Sequence, residues 1–272
     1  MGHVGSESLK TVAVVVPRYR RGLTADEEVS YRHLVHFLGR YDKFFLSPES
    51  LPVDDPAFGV VRFADEFFRD TVSYSILLLS KEFYRAFSRY RFILIYQLDA
   101  LVFSDQLLEW CGRGWDYIGA PWFKSEAAPF VDEPRVGNGG FSLRRVESFL
   151  KVLGSWRFAP ELERYGIASA EEAPLKYRIA GRLGLSNQFI KGILRVPQEL
   201  DVSHGRNEDY FWSFHAAKYY RGFKIAPVEE GLRFAFEVEP RRSYAMNGQR
   251  LPFGCHAWCR YDREFWEPFL LK

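Results

Sequence analysis

Cysteine is scarce in this chain: its 272 residues include three, Cys111, Cys255 and Cys259. An odd, low count argues against a disulfide framework and for a reducing compartment. Cys255, His256 and Cys259 lack the second CxxC or HxxxH pair that a zinc site needs, which argues against zinc. Net charge is nearly absent as well, at +2 from 37 basic and 35 acidic residues. Such a weak field argues against nucleic acid as a partner, although the local cluster Arg18, Arg20 and Arg21 can meet a phosphate. No apolar run approaches the roughly 20 residues of a membrane span. The first ten residues are polar and glycine-rich, unlike a signal peptide, and MGHVGS fits a myristoylation pattern only formally. The expectation is a soluble, cytoplasmic protein, with peripheral membrane association left open. Repeats, low-complexity tracts and domain linkers are also lacking, so one domain over residues 1–272 is expected.

What the chain does have is aromatic side chains: 25 Phe, 15 Tyr and 7 Trp, or 17%. Most must be core, but such an excess also lines sites for flat or sugar-like ligands. Thr11–Val16, a β-branched run ended by Pro17, predicts a buried strand. Thr24 followed by Asp26, Glu27 and Glu28 predicts a helix from there to about Gly39. Strands are expected over Tyr41–Leu46, broken by Ser47-Pro48, and over Val60–Phe63. Apolar spacing over Ser73–Arg89 predicts one long helix, and Phe92–Tyr96 a central buried strand. A short helix should follow over Asp105–Cys111, then a strand and aromatic turn within Trp115–Phe123, a loop over 124–135, and a short strand with a helix from about Val146. Residues 155–206 are irregular, with short helices or a flap expected. Glu208–Arg221 reads as a helix, Phe223–Ala226 as a strand and Val228–Phe236 as a helical turn. Strands alternating with helices predict an α/β fold: a Rossmann-like, mostly parallel central sheet with helices on both faces.

Four places can carry chemistry. Gln97-Leu98-Asp99 ends the central strand, the edge at which open α/β sheets bind ligands. Asp99 there either holds Mg²⁺ or Mn²⁺ with a diphosphate or caps a helix starting near Ser104. Gly137-Asn138-Gly139-Gly140 calls for close backbone approach or positive φ. Its N–H groups could meet an anion, or it is a plain turn. Asn207-Glu208-Asp209 opens an aromatic helix, where the acids either favour the helix dipole or aim a general base into a cleft. His256, in PFGCHAW, is a ligand or a satisfied core residue.

Taken in order along the chain, these four resemble the GT-A superfamily of nucleotide-sugar glycosyltransferases, with its DxD motif, glycine-rich loop, xED motif and C-terminal histidine. The phrases YQLDALVF, WDYIGAPWF, VGNGGFSLRR, NEDYFW and PFGCHAW resemble a bacterial and viral family within it, over about residues 11–266. The resemblance implies a GT-A-like domain and an inverting transfer from a UDP- or GDP-linked sugar to a glycan or polysaccharide hydroxyl. It implies Asp209 as base with Glu208 supporting it, and Asp99 and His256 as ligands of Mn²⁺ or Mg²⁺. Arg18, Tyr19, Gln97, Asp99 and Gly137 to Gly140 (with Asn138) become donor-side residues, and Trp122 an acceptor-side ring. Gln97 stands where the first Asp of DxD is usual. That removes one negative charge and leaves metal dependence open, with Gln97 free to serve the ribose or sugar. Two alternatives stand beside this one. A nucleotidyltransferase would need a Gly-rich, Lys-containing loop after the first strand, which is lacking. A non-catalytic sugar-binding module of the same fold is the other.

Overall fold

The computed structural model describes residues 9–126, 128–155 and 207–271. The flap or short helices expected over 155–206 and the MGHVGS pattern fall essentially outside them. The fold is mixed α/β, built on a central, mostly parallel sheet flanked by helices. Among the described residues the main sheet has six strands in the order β3-β2-β1-β4-β9-β6. They are β1 (Lys10–Pro17), β2 (Asp42–Pro48), β3 (Gly59–Phe63), β4 (Tyr90–Tyr96), β6 (Tyr117–Ile118) and β9 (Phe141–Arg145). The first four pair in parallel, while β9 runs antiparallel between β4 and β6.

Side chains alternate across the strands, so each central strand feeds two cores. Val12, Val14, Val16, Phe92, Leu94 and Tyr96 pack with Leu34 and Leu38 of helix α1 (Ala25–Leu38) and with Leu107 and Trp110 of α4 (Leu107–Gly112). Ala13, Val15, Ile93 and Ile95 face the other side. There they meet α2 (Thr71–Leu78), α3 (Lys81–Ala86), α5 (Val146–Leu153) and α6 (Glu208–Phe214). Both faces of β1 and β4 are therefore covered, which is why they read as unbroken apolar runs. Thr24 caps α1 in a full capping box with Glu27.

Several elements differ from expectation. The single helix over Ser73–Arg89 is two, because the Ser80 hydroxyl accepts the Phe83 N–H and starts a second helix. Likewise Glu208–Arg221 breaks at His215 into α6 and α7 (Ala216–Tyr219). Strand β2 continues through Ser47-Pro48, paired with Arg62 and Phe63. Phe223–Ala226 forms no strand; Ile225 makes one bridge to Tyr117, and the Lys224 N–H is taken by the Asp116 carboxylate. Trp115–Phe123 divides between β6 and β7 (Pro121–Trp122), the latter paired with β8 (Arg135–Val136) in a separate sheet. Helix α8 (Val228–Phe234) leads directly into β10 (Ala235–Phe236). No helix among the described residues is long and apolar enough to cross a membrane.

Candidate active site

Topology alone brings the four sequence features together. Parallel pairing puts the carboxyl ends of β1 and β4 on one edge, so Pro17 and Gln97 lie near each other. Antiparallel β9 starts at that same edge, with Phe141 opposite Tyr96. The preceding glycine loop is thus delivered to Gln97, whose N–H donates to the Gly140 carbonyl at 2.9 Å. After Asp99 the chain enters β5 (Leu101–Val102), and β11 (Gly254–Cys255) pairs antiparallel with it, Cys255 opposite Leu101. His256 therefore arrives beside Asp99. β10 runs parallel to β11 and ends one residue before Glu237. Asp209 sits in the first turn of α6, where the Glu208 N–H reaches the Ser75 hydroxyl of α2 at 3.4 Å.

His256 is clamped at both ring nitrogens. Nδ1 lies 2.8 Å from Glu237 Oε1, and Nε2 lies 3.0 Å from Gln97 Oε1 and 3.2 Å from Asp99 Oδ1. Asn138 is oriented by its own oxygen, which accepts the Gly140 and Phe141 N–H groups. Its amide nitrogen must then face Glu237 and donates at 2.6 Å. The 3.0 Å approach of that nitrogen to His256 Nδ1 follows from two donors sharing one carboxylate oxygen. Burial alone would lower the imidazole, but the carboxylates of Asp99 and Glu237 hold it at about 10. For Asp99, burial is the largest effect and pushes upward. The charge and hydrogen bonding of His256, with smaller help from the backbone and Arg260, together outweigh it and leave the carboxyl below its ordinary value.

Asp99 Oδ1 is buried without accepting a hydrogen bond. It lies 3.2 Å from His256 Nε2, which is itself 3.0 Å from Gln97 Oε1, spacings close to those of neighbouring corners of an octahedron with bonds of roughly 2.1 Å. A Glu237–His256 contact of the kind that fixes a metal-facing tautomer stands behind them. This donor set fits Mn²⁺ or Mg²⁺. Among the described residues no group of three His, Cys, Asp or Glu side chains forms a metal cluster; a third donor would have to be the Gln97 amide oxygen.

Asp209 lies across the glycine loop. Its carboxylate accepts the Gly139 N–H at 3.2 Å and its own Tyr210 N–H at 2.8 Å. Burial, followed by the neighbouring charges of Glu208 and Glu237, raises it to about 8. Glu208 is tied to the buried Arg144 guanidinium at 2.9 and 3.3 Å. Its carboxyl lies above the ordinary value, burial outweighing the pull of Arg144.

The glycine loop is explained by close approach. None of Gly137, Gly139 and Gly140 has positive φ. A Cβ on Gly140 would overlap the His256 ring, one on Gly137 the Trp122 ring, and one on Gly139 would crowd Glu208 and Asp209. Gly139, Gly140 and Phe141 spend their N–H groups on Asp209 and Asn138, which leaves no anion nest there.

Two adjoining cavities share Thr71, Tyr74, Gln97 and Asp99 in their walls. The larger, about 560 Å³, is lined by Pro17, Tyr19, Arg20, Phe68, Arg69 and Asp70 among others. The smaller, about 380 Å³, is lined by Trp122, Asn138, Gly139, Gly140, Asn207, Glu208, Asp209, Glu237 and His256 among others. Gln97, Asp99, Asn138, Gly139, Gly140, Glu208, Asp209, His256, Tyr19 and Trp122 thus all meet one site. Gly137 stands behind Trp122. Arg18 lines neither cavity; its guanidinium lies over Phe45 and donates to the Arg21 carbonyl at 2.6 Å. Asp99 caps no helix, since α4 begins at Leu107 with Gln106 before it. The sequence marks Arg20 only within the basic cluster Arg18, Arg20 and Arg21, and gives no local signal for Tyr74 or Glu237. Arg144 carries a signal: it is the first of two adjacent arginines in a short buried strand (FSLRR), where an unpaired charge is not tolerated.

Residues 57–256 match the model of a family described as "Protein of unknown function (DUF5672)". No curated protein matches. Among solved structures, two of the glycosyltransferase GlyE from Streptococcus pneumoniae TIGR4, one of them the apo form, align over 96% of this chain. Their TM-scores are 0.45 and 0.46, with identities of 10% and 11%. The chain spans 60% of the length of those GlyE structures. A glycosyltransferase involved in glycosylation of the major capsid of PBCV-1 aligns with TM-score 0.47 and 9% identity, over 95% of this chain and 98% of its own. Likenesses this distant assign no function.

Proposed function

The chain belongs to the DUF5672 family, and we propose that it is an inverting glycosyltransferase that moves a sugar from a nucleoside diphosphate to an acceptor hydroxyl of a glycan or polysaccharide. The observation that carries this reading is the convergence of Asp99, His256 and Asp209 on one pair of joined cavities at the carboxyl edge of the sheet. Asp99 and Gln97 face both cavities, while His256 and the buried, proton-hungry Asp209 face the smaller. This suits departure of a diphosphate where the two cavities join and attack by a hydroxyl from the smaller one.

In this reading the nucleoside lies in the larger cavity. Tyr19 offers a ring, and Arg20 and Arg69 offer charge toward phosphates. Asp99 and His256, with Gln97, would hold a divalent cation, which would supply positive charge against the departing diphosphate. Asp209 takes the proton of the acceptor hydroxyl as the hydroxyl attacks the anomeric carbon, and a carboxylate near neutrality in pKa is matched to that task. The Arg144–Glu208 pair fixes the start of α6 and so the position of Asp209.

A thermal-shift screen of nucleoside diphosphates with and without Mn²⁺ tests it. One diphosphate should stabilise the wild type by several kcal/mol when present far above its dissociation constant, and the shift should shrink in Asp99→Asn. Equal and null shifts for every nucleotide would remove the proposal.

A further inference from the structure

The smaller cavity has a second wall that the reaction described so far does not use. Trp122, Ala128 and Val131, with Phe214 packed against them, form an apolar cluster separate from the three larger cores. Phe130 sits at its outer edge with 38% of its surface exposed, unusual for a phenylalanine held by other rings. Trp122 meets it at 5.3 Å and 88°, and Tyr210 at 5.5 Å and 74°, so both brace it edge-on. Phe214 stacks on Tyr210 at 4.4 Å, and the Arg135 guanidinium lies 3.8 Å from the Phe214 ring centre. Arg135 is anchored in turn to Ser213 through its hydroxyl at 3.0 Å and its carbonyl at 2.7 Å. The exposed ring is therefore held in one orientation.

Facing the same cavity are the carboxylates of Asp209 and Glu237 and the amide of Asn138. An aromatic face attracts weakly positive C–H groups, and carboxylates accept hydroxyl protons. One ligand class presents both at once: a pyranose ring, with C–H groups on its flat face and hydroxyls around its rim. A lipid tail would bury these polar groups without using their remaining hydrogen-bonding capacity, and an anionic acceptor would be repelled by the carboxylates.

On the premise of the proposed transferase activity, we infer that Phe130 is the acceptor platform, stacking the terminal pyranose that carries the reacting hydroxyl and aiming it at Asp209. Trp122, 7% exposed and pressed against Gly137, supports Phe130 instead of touching sugar itself. A cavity of about 380 Å³ lies at the small end of ligand sites.

Saturation-transfer NMR with methyl glucoside, galactoside, mannoside and rhamnoside, with the wild type and with Phe130→Ala and Phe130→Tyr, tests this. At least one glycoside should give a signal with the wild type and Phe130→Tyr. Phe130→Ala should bind it roughly tenfold more weakly. An unchanged signal in Phe130→Ala, or none from any glycoside with the wild type, would overturn the assignment. Nucleoside diphosphate binding measured on the same samples reports on the donor side. Its loss in the wild type would fault the transferase reading, whereas its retention with no sugar signal would fault only the platform.

Discussion

Arg144 and Glu208 form an ion pair from which water is almost wholly excluded, with side-chain exposures of 0% and 6% and a closest approach of 2.9 Å. The Ser142 hydroxyl, the Tyr84 hydroxyl and the Gly139 carbonyl accept the other three guanidinium hydrogens, so the charge is fully coordinated. The pair joins β9, behind the glycine loop, to the first turn of α6. The local frame of Asp209 is thus set by a charge pair that lies behind the cavity wall.

Arg144→Met should therefore be among the most damaging single changes. It strands the Glu208 carboxylate in the interior, a loss of about 3–5 kcal/mol. The double variant Arg144→Met with Glu208→Met removes the stranded charge and should recover much of that. Urea unfolding of the three proteins checks both statements; equal stability of Arg144→Met and the wild type would contradict them.

Asp209 carries a pH signature whose sign follows from its raised pKa. Below the ordinary carboxylate value of 3.8, folded and unfolded chains both hold the proton. Between there and about 8 the folded state keeps it and the unfolded chain releases it, so stability falls as pH rises through that window. Asp209→Asn does not titrate. It should be more stable than the wild type at pH 8, by on the order of 1–3 kcal/mol, and no more stable near pH 4. Thermal unfolding against pH gives the comparison.

The same carboxylate should shape the rate. Transfer should climb with pH toward about 8 as Asp209 ionises, and Asp209→Asn should lose roughly 10²–10⁴-fold in turnover while still binding nucleotide. A flat pH profile for the wild type would count against Asp209 as base.

Glu237 holds the Nδ1 side of His256 and the amide of Asn138 with one oxygen. Glu237→Gln keeps an acceptor there but loses the charge. Affinity for nucleoside diphosphate with Mn²⁺ should drop roughly 10–100-fold, measured by calorimetry, with folding preserved.

Much of this was legible in the residues themselves. β1 and β4 announce themselves by β-branched and apolar runs, and α1 by Thr24 and its acids, because each signal is local. What sequence could not supply was distance. Nothing in Ser73–Arg89 shows that Ser80 will cap a new helix, since the same hydroxyl is tolerated mid-helix. Glu237 gives no local signal because its partners come from distant parts of the chain. Asn138 comes from the glycine loop before β9, and His256 is the residue after β11, which the pairing of β10 and β11 brings beside it. Arg18 looked suited to the donor by its place after β1, yet its guanidinium found the Phe45 ring. The glycines of 137–140 were rightly marked for close approach, but that the approaching groups are Trp122, His256 and the two acids of α6 is tertiary information.

The most direct test is turnover itself: incubation of the wild type, Asp99→Asn and Asp209→Asn with a panel of nucleotide sugars and Mn²⁺, with release of nucleoside diphosphate followed by chromatography. The account predicts release from one donor by the wild type. It predicts loss of binding and turnover together in Asp99→Asn, and loss of turnover with binding kept in Asp209→Asn. Wild-type turnover that survives in Asp209→Asn, or a wild type that neither binds nor cleaves any member of the panel, would contradict it.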